Sequence, residues 1–595
     1  PMSKTTYSNV PKNLSDLLKD VRNGRIGLPD LQRPFVWRDN KVRDLFDSMM
    51  KGFPIGYIML WESPQEYEDK KEGIGLGEKA YKAPKDLVID GQQRLTALVA
   101  SMYGVVVKDR NFRERKIRIS YKPDTKEFDV WTNAIQRNAE YIPDISEVFL
   151  AKENNTFGRF RKSFIQNLNE SRQRRNMPIL TEEDEFRIEE NINELLNLEL
   201  YQIPTLEINH SSSEEDVAEI FVRVNSAGQK LTENDFILTL ISVYEKEKRD
   251  LIDQFCADSR IPGKNTSYNH LMAVDPSHIV RMTVGVGFRR ARLRYAYMIL
   301  RGKDLKTGES SDKIREKNFG IFKSALDKVL DLNNWHSFLN ILKEAGYISD
   351  KLIASSNAVV FSYVLYLIAK YDYQMEAMKL KRLIKRWFFM AALTSFYTGS
   401  MESDVETQFA DMEVITSSEG LEEYLQNVIA SRLTEDYFNI TLPMDLMTSA
   451  GISPSWYGFV ASQIVLGTPL LFGTAPLSSV FTLGSSGTKN ALDKHHIFPK
   501  NHLAKLGIEK DRDRNQTANF TYLDYSTNIH ITDKPPQEYI EEYRTKLGPE
   551  EFAKACSQHA LPEGFHTLEY FDFLNKRRPL IAGIVKKAYE RLCDG

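Results

Sequence analysis

Residues 88–98 read VIDGQQRLTAL: a short apolar run, a polar stop at Asp-Gly, and a run with helical spacing behind it. The natural reading is strand, tight turn, helix, with the helix extending to about Met102. Asp90 is the expected N-cap, and Gln93 three residues later completes a capping-box-like pattern. Arg94 does not fit, because a cation in the first turn meets the positive end of the helix dipole. An anion at that place resolves the conflict. Free N–H groups, a glycine that permits close approach and a guanidinium together make a phosphate cradle. On the residues alone, a helix start and an anion site both remain open.

Working outward, YIMLW at 57–61, DLVID at 86–90, KIRISYK at 116–122 and YQIPTLEI at 201–208 are β-prone runs set among helical ones. They predict an α/β domain over 1–245, interrupted at 144–198 by an acidic, Arg-rich helical insertion. From 246 to 472 the periodicity is almost wholly helical, with SYVLYLIAKY and KLKRLIKRWFFMAAL as its most apolar parts. The segment 473–490, rich in Gly, Ser, Thr and Pro, reads as a loop. It opens a third region, 473–595, that holds six of the ten histidines. The expected architecture is α+β and multidomain.

A chain of 595 residues exceeds what one hydrophobic core usually supports. A net charge of −3 gives no global attraction to nucleic acid, so DNA contacts must come from local patches. Cys256, Cys556 and Cys593 lie far apart, which excludes a disulfide framework and a cysteine zinc knuckle and fits a reducing cytoplasm. No basic-then-apolar leader opens the chain, and Pro1 ahead of Met2 reads as an expression scar. The stretches 352–369 and 456–472 approach membrane-span length but carry polar or helix-interrupting residues. They read as buried helices, and no membrane association is expected.

DKHHIFPKNHL, 493–503, places two histidines in a short β-prone run that ends at Pro499. Neighbours on a strand point to opposite faces, so His495 and His496 cannot both face one core. NFTYLDYSTN follows, with Asn519 and Asn528 nine residues apart. Phosphodiester hydrolysis needs a base to deprotonate water and a cation to stabilise the departing oxygen, roles open to an imidazole and a divalent metal. H-H-I-x-P followed by the two asparagines resembles the HNH (ββα-metal) nuclease motif. The resemblance implies His496 as general base, His495 and Asn528 as metal ligands, and Asn519 as the residue that holds the loop through a bond to the backbone of His496. Lys500, His530 and Lys534 are weaker candidates for phosphate or scaffold contacts. A His ligand where Asp is common leaves Mg²⁺, Mn²⁺ and other transition metals open.

Two further segments accompany DGQQR. LPDLQRPFVW, 28–37, holds Gln32 and Arg33 in an extended stretch, because Pro34 disfavours helix before it. FVRVNSAGQKLTENDF, 221–236, ends a helix near Asn225, turns at Gly228 and restarts at Thr232 as an N-cap, leaving Arg223 and Asn225 beside the turn. LQRPFVW, VIDGQQRLTAL and IFVRVNSAGQKL, in that order, resemble the N-terminal domain of GmrSD-type restriction enzymes over roughly residues 10–245. That domain is related to the ParB and sulfiredoxin fold. The resemblance implies nucleotide binding and hydrolysis, ATP or GTP, centred on Asp90, Gly91, Gln92, Gln93 and Arg94. No P-loop signature is present, so Walker-type catalysis is not expected.

RMTVGVGFRRARLRYAYMILRGK, 281–303, holds seven cations and no acid. Arg289, Arg290, Arg292 and Arg294 are candidate DNA contacts, with Phe288, Tyr295 and Tyr297 able to stack on an extruded base; a solvated helix face with core aromatics is the alternative. In KLKRLIKRWFF, 379–389, Leu380, Leu383, Ile384 and Trp387 share one helix face, which reads as core with a basic outer face. Taken together, the resemblance implies a single-chain, modification-dependent (type IV) restriction endonuclease. Its nucleotide state would govern HNH cleavage of double-stranded phage DNA carrying hydroxymethylated or glucosylated cytosines. A phosphorothioate-DNA sensor and a nucleotide-responsive DNA-binding regulator without cleavage are the alternatives. A homodimer is left open.

Overall fold

The computed structural model describes residues 7–27, 35–62, 85–109, 113–209, 233–482, 494–523, 527, 530–531 and 533–595. It is mixed α and β, mostly helical, with small sheets. It divides into two compact units, residues 1–232 and 233–595.

The first unit is built on a five-stranded mixed sheet. Its strands are β1 (Tyr7–Asn13), β2 (Ile26–Gly27), β3 (Ile58–Glu62), β4 (Asp86–Asp90) and β5 (Gln202–Ile208), in the spatial order β1-β5-β3-β4-β2. Ile58, Met59 and Leu60 on β3 and Leu87, Val88 and Ile89 on β4 are all buried, as expected of inner strands covered on both faces. That explains why the two runs look continuously apolar rather than alternating. β1 pairs antiparallel with β5 at the edge and sets Pro11 against Pro204. Its sequence, YSNVPKN, gives no strand signal because an edge strand tolerates proline and exposure.

The run at 116–122 forms a strand, Ile119–Lys122, but pairs with Glu127–Val130 in a separate hairpin outside the main sheet. Helix α1 (Leu14–Arg22), α2 (Asp39–Met50) and α3 (Gln92–Tyr103) contribute their apolar faces to one core. The insertion at 144–198 is helical as expected: α4 (Ser146–Glu153), α5 (Phe157–Arg174) and α6 (Glu182–Asn197). Thr181 and Asp184 form a capping box at the start of α6, whose first turn is acidic, the favourable sign for a helix N-terminus.

The second unit opens with α7 (Glu233–Tyr244), which begins directly after Thr232, the expected cap, itself outside the described residues. Its middle part contains α8 (Pro276–Phe288), α9 (Leu293–Leu300), α10 (Asp312–Leu330), α11 (Ser356–Tyr371), α12 (Ala377–Leu393) and α13 (Met401–Glu413). Helix α11 is buried from Ala358 to Ala369. On α12, Leu380, Leu383, Ile384 and Trp387 are buried while Lys381 and Lys385 reach Glu344, so the face assignment made from spacing holds. Among the described residues no helix is long and apolar enough to cross a membrane.

After α14 (Pro454–Val465) come α15 (Pro536–Leu547), α16 (Pro549–Gln558) and the long α17 (Tyr570–Asp594). Helix α17 packs against both α12 and α14, so the middle and C-terminal segments share a core.

Candidate functional site

In the first unit the site begins where β4 becomes α3. The expected cap is corrected by the structure. Asp90 is the last residue of β4, and the N-cap is Gly91, at φ +88 and with no side-chain cap. Only glycine adopts that backbone without strain, and a Cβ there would lie 2.4 Å from Ile58 Cδ1. Gln93 does not turn back to close a capping box. Its Oε1 accepts a hydrogen bond from Val36 N–H at 3.1 Å. This contact brings the chain just after LQRP to the helix entrance. Gln32, Arg33, Arg223 and Asn225 lie outside the described residues.

Gln92 Nε2 donates to the Val88 carbonyl at 2.7 Å, tying the helix start back to its strand. Arg94 Nη1 donates to the Tyr57 carbonyl at 2.7 Å. Its guanidinium fills space that two glycines leave: a Cβ on Gly56 would sit 2.8 Å from Nη2, and one on Gly91 3.4 Å from Nη1. Burial pushes the Arg94 pKa down from its ordinary value, and the Asp90 carboxylate opposes that shift. The cation at the head of α3 is thus set in place by backbone and partly desolvated. β3 and β4 slip register between Met59 and Leu60, pairing Met59 with Asp90 and Leu60 with Val88. The extra residue, Ile89, makes a bulge beside the site, a device that re-aims side chains.

In the second unit His495 and His496 form β6, which pairs antiparallel with β7 (Phe520–Thr521): His495 opposite Thr521, His496 opposite Phe520. Directly opposed residues share a face, so the two histidines serve different faces of this ribbon. On one face the His496 ring packs on Phe520, with centroids 4.6 Å apart, and its Nε2 lies 2.9 Å from Asn515 Oδ1. Burial lowers the His496 pKa, and the nearby Lys500 and Arg514 add to that, against the opposing bond from Asn515. Burial thus favours the neutral imidazole, the form that accepts a proton. On the other face Thr521 Oγ1 lies 3.0 Å from Nδ1 of the buried His559, whose Nε2 is 2.8 Å from the Pro469 carbonyl.

Asn519 is fully buried. Its Oδ1 accepts from Phe498 N–H at 2.9 Å, and its Nδ2 donates to the carbonyls of Phe498 and Arg514, both at 3.1 Å. The side chain thus pins the loop after the histidines at Phe498, two residues beyond the His496 backbone that the motif resemblance implies. Ile497 N–H donates to the Asn519 carbonyl at 2.8 Å, and Tyr539 Oη donates to the Ile497 carbonyl at 2.8 Å. Asn528 lies outside the described residues. Among those described, no group of three His, Cys, Asp or Glu side chains is arranged to hold a metal ion. Lys500 is half-exposed, 3.9 Å from Asp511; Lys534 is half-buried; His530 is exposed and bonded to Glu542 at 2.5 Å.

The basic run at 281–303 folds as the end of α8, a turn and α9, and most of its candidate contacts meet acids or hydroxyls. Arg289, itself at φ +54, bonds Asp372 at 3.0 Å; Arg290 bonds Glu406 at 3.2 Å; Arg292 donates to Ser403 at 2.8 Å. Glu406 also accepts from the N–H groups of Ala291 and Arg292. Arg294 is exposed. At least three of the seven cations, Arg281, Arg289 and Arg290, are paired with acids from distant segments, which local composition does not reveal.

Asn515, His559 and Arg577 were not anticipated. Asn515 sits in the polar run DRDRNQTAN, and Arg577 in KRRP, where nothing local marks either as a contact to the histidine ribbon.

Residues 14–242 match the family model described as GmrSD restriction endonuclease, N-terminal domain. The match takes in the helix entrance at Gly91 and runs into α7. The uncharacterized protein MJ0686 of Methanocaldococcus jannaschii is 24% identical over 560 residues, covering 90% of this chain and 87% of that one. Similarity of that extent runs along both units. Over residues 14–242 the chain is thus similar to the N-terminal domain of a restriction endonuclease family.

Proposed function

We propose that the chain is a nucleotide-dependent type IV restriction endonuclease that cleaves phage DNA carrying hydroxymethylated or glucosylated cytosines. The observation that carries this reading is the His496 ring, bonded to Asn515 on a ribbon whose loop Asn519 pins, in the same chain as a GmrSD-like N-terminal segment. His496 takes the proton of the attacking water. Asn515 holds the ring and Asn519 holds the loop that carries it. His495 and Asn528 would bind a divalent ion, which when bound supplies charge stabilisation to the leaving oxygen; His495 is the member of that pair on the described ribbon. A 5′-phosphate product is expected.

In the first unit the α3 entrance, with Arg94 set between Gly56 and Gly91, binds ATP or GTP through its phosphates. Hydrolysis there governs cleavage by the second unit. Both activities belong in a bacterial cytoplasm, with double-stranded DNA as partner.

The experiment is a cleavage assay on glucosylated, hydroxymethylated and plain DNA, with and without nucleotide and divalent ion, for wild type and His496→Ala. Cleavage confined to modified DNA and abolished by His496→Ala, with nucleotide turnover intact, is the expected result. Cleavage that survives His496→Ala removes the base assignment.

A further inference from the structure

The histidine ribbon is too small to hold itself. It is two residues long on each side, while isolated two-stranded ribbons are marginal even when longer. Something else must fix the positions of His495 and His496. Behind the ribbon stands Arg577 on α17, fully buried. Its Nη1 donates to the carbonyls of Ala518 at 2.7 Å and Phe520 at 2.6 Å, and its Nε and Nη2 donate to the His559 carbonyl at 3.3 and 2.9 Å.

The two carbonyls held by Nη1 flank Asn519, and the Phe520 carbonyl belongs to the residue directly opposite His496. Arg577 therefore holds the carbonyls of the residues before and after Asn519, the residue that pins the Phe498 loop. Its other bonds tie the same strand to His559, whose ring bonds the Thr521 hydroxyl. The described contacts of the guanidinium are backbone carbonyls and the rings of Trp456 and Phe459, with centroids about 6 Å away. A buried cation of this kind is costly to desolvate, and apolar residues of similar volume often serve stability as well or better. The planar fork offers geometry instead: Nη1 holds the two strand carbonyls while Nε and Nη2 hold the His559 carbonyl, a span between separate segments that the single nitrogen of a lysine does not reproduce.

We infer that Arg577 is a positioning residue of the nuclease, fixing the Ala518–Phe520 backbone so that Asn519 and the His496 ring stand in register with the scissile phosphate. This rests on the nuclease reading above. The assay uses the full-length chain with Mn²⁺ and glucosylated-hydroxymethylcytosine phage DNA. It compares wild type, Arg577→Lys, Arg577→Met and His496→Ala, each about 20 °C below its own melting temperature, where a loss of stability alone leaves the folded fraction unchanged.

Arg577→Lys is expected to keep the wild-type far-UV circular dichroism and KM while kcat falls about 10- to 100-fold, as for other residues that orient a ligand from behind. Arg577→Met is expected to fall further, toward the His496→Ala floor. Wild-type kcat in both folded variants overturns the assignment, and so does loss of fold in both, which makes the role structural only. No cleavage by wild type, or cleavage by His496→Ala, overturns the nuclease reading itself and the assignment with it.

Discussion

The His496 Nε2 atom lies 2.9 Å from Asn515 Oδ1, nineteen residues away along the chain. With the amide oxygen accepting from Nε2–H, the imidazole is fixed in the tautomer that leaves the Nδ1 lone pair to receive a proton. Asn515→Ala is expected to lower kcat for DNA cleavage by about 10- to 100-fold with little change in melting temperature, since one part-buried bond contributes only about 1 kcal/mol. A nicking assay beside a thermal melt reads both. Unchanged kcat would show that the ring does not depend on this contact.

Asn519→Ala acts through packing rather than chemistry. It leaves the N–H and the carbonyl of Phe498 without the bonds from Asn519, while the Arg514 carbonyl keeps its 3.3 Å bond from Tyr570 Oη. An unsatisfied buried group costs roughly 1–3 kcal/mol, so the expected loss is at least about 2 kcal/mol. Urea unfolding of the full chain, followed through the second unit's tryptophans, measures it.

At the other site, Gly91→Ala meets two obstacles, a backbone at φ +88 and the Ile58 side chain. Strain and overpacking together should cost roughly 2–4 kcal/mol. Nucleotide turnover should fall with it. A variant as stable and as active as wild type, by urea midpoint and phosphate release, is the outcome that contradicts this account of the turn. Arg94→Ala separates the two effects, because it removes the cation but leaves the turn; turnover should be lost while stability falls by only about 1–3 kcal/mol for the bond to Tyr57.

His559 links stability to pH. Burial lowers its pKa from 6.5 to about 4. The unfolded chain thus binds a proton at His559 more readily than the folded one. Its contribution is fully present above pH 6.5 and is lost as pH falls toward 4, at up to about 1.4 kcal/mol per pH unit and roughly 3 kcal/mol in all. Denaturant titrations at pH 7, 6, 5 and 4 on wild type and His559→Gln should differ in slope across that window. Equal slopes would falsify the assignment of this acid sensitivity to His559.

Where the sequence was readable, the physics was local. β4 and α3 follow from an apolar run, a glycine and a helical period. The buried face of α12 follows from the spacing of Leu380, Leu383, Ile384 and Trp387. β1 was not readable because its pairing with β5 spans nearly the whole first unit and its own composition is that of an exposed edge. Asp90 was misread as a cap because a left-handed glycine can start a helix without a side-chain acceptor. The ion pairs of Arg289 and Arg290 were not readable because their acidic partners, Asp372 and Glu406, lie far away in the sequence. Asn515 and Arg577 share that property: each matters through a partner far away in sequence.

The bond from His559 to the Pro469 carbonyl, with Gln463 Nε2 donating to the Gln558 carbonyl at 3.1 Å, crosses the point where composition changes near residue 473. Trp456 and Phe459 of α14 wall the Arg577 guanidinium from the same side. The histidine ribbon is therefore not a detachable cassette. A gene fragment starting at Gly473 would inherit the motif without its scaffold, and recombination that exchanged such fragments between relatives would have to carry α14 along.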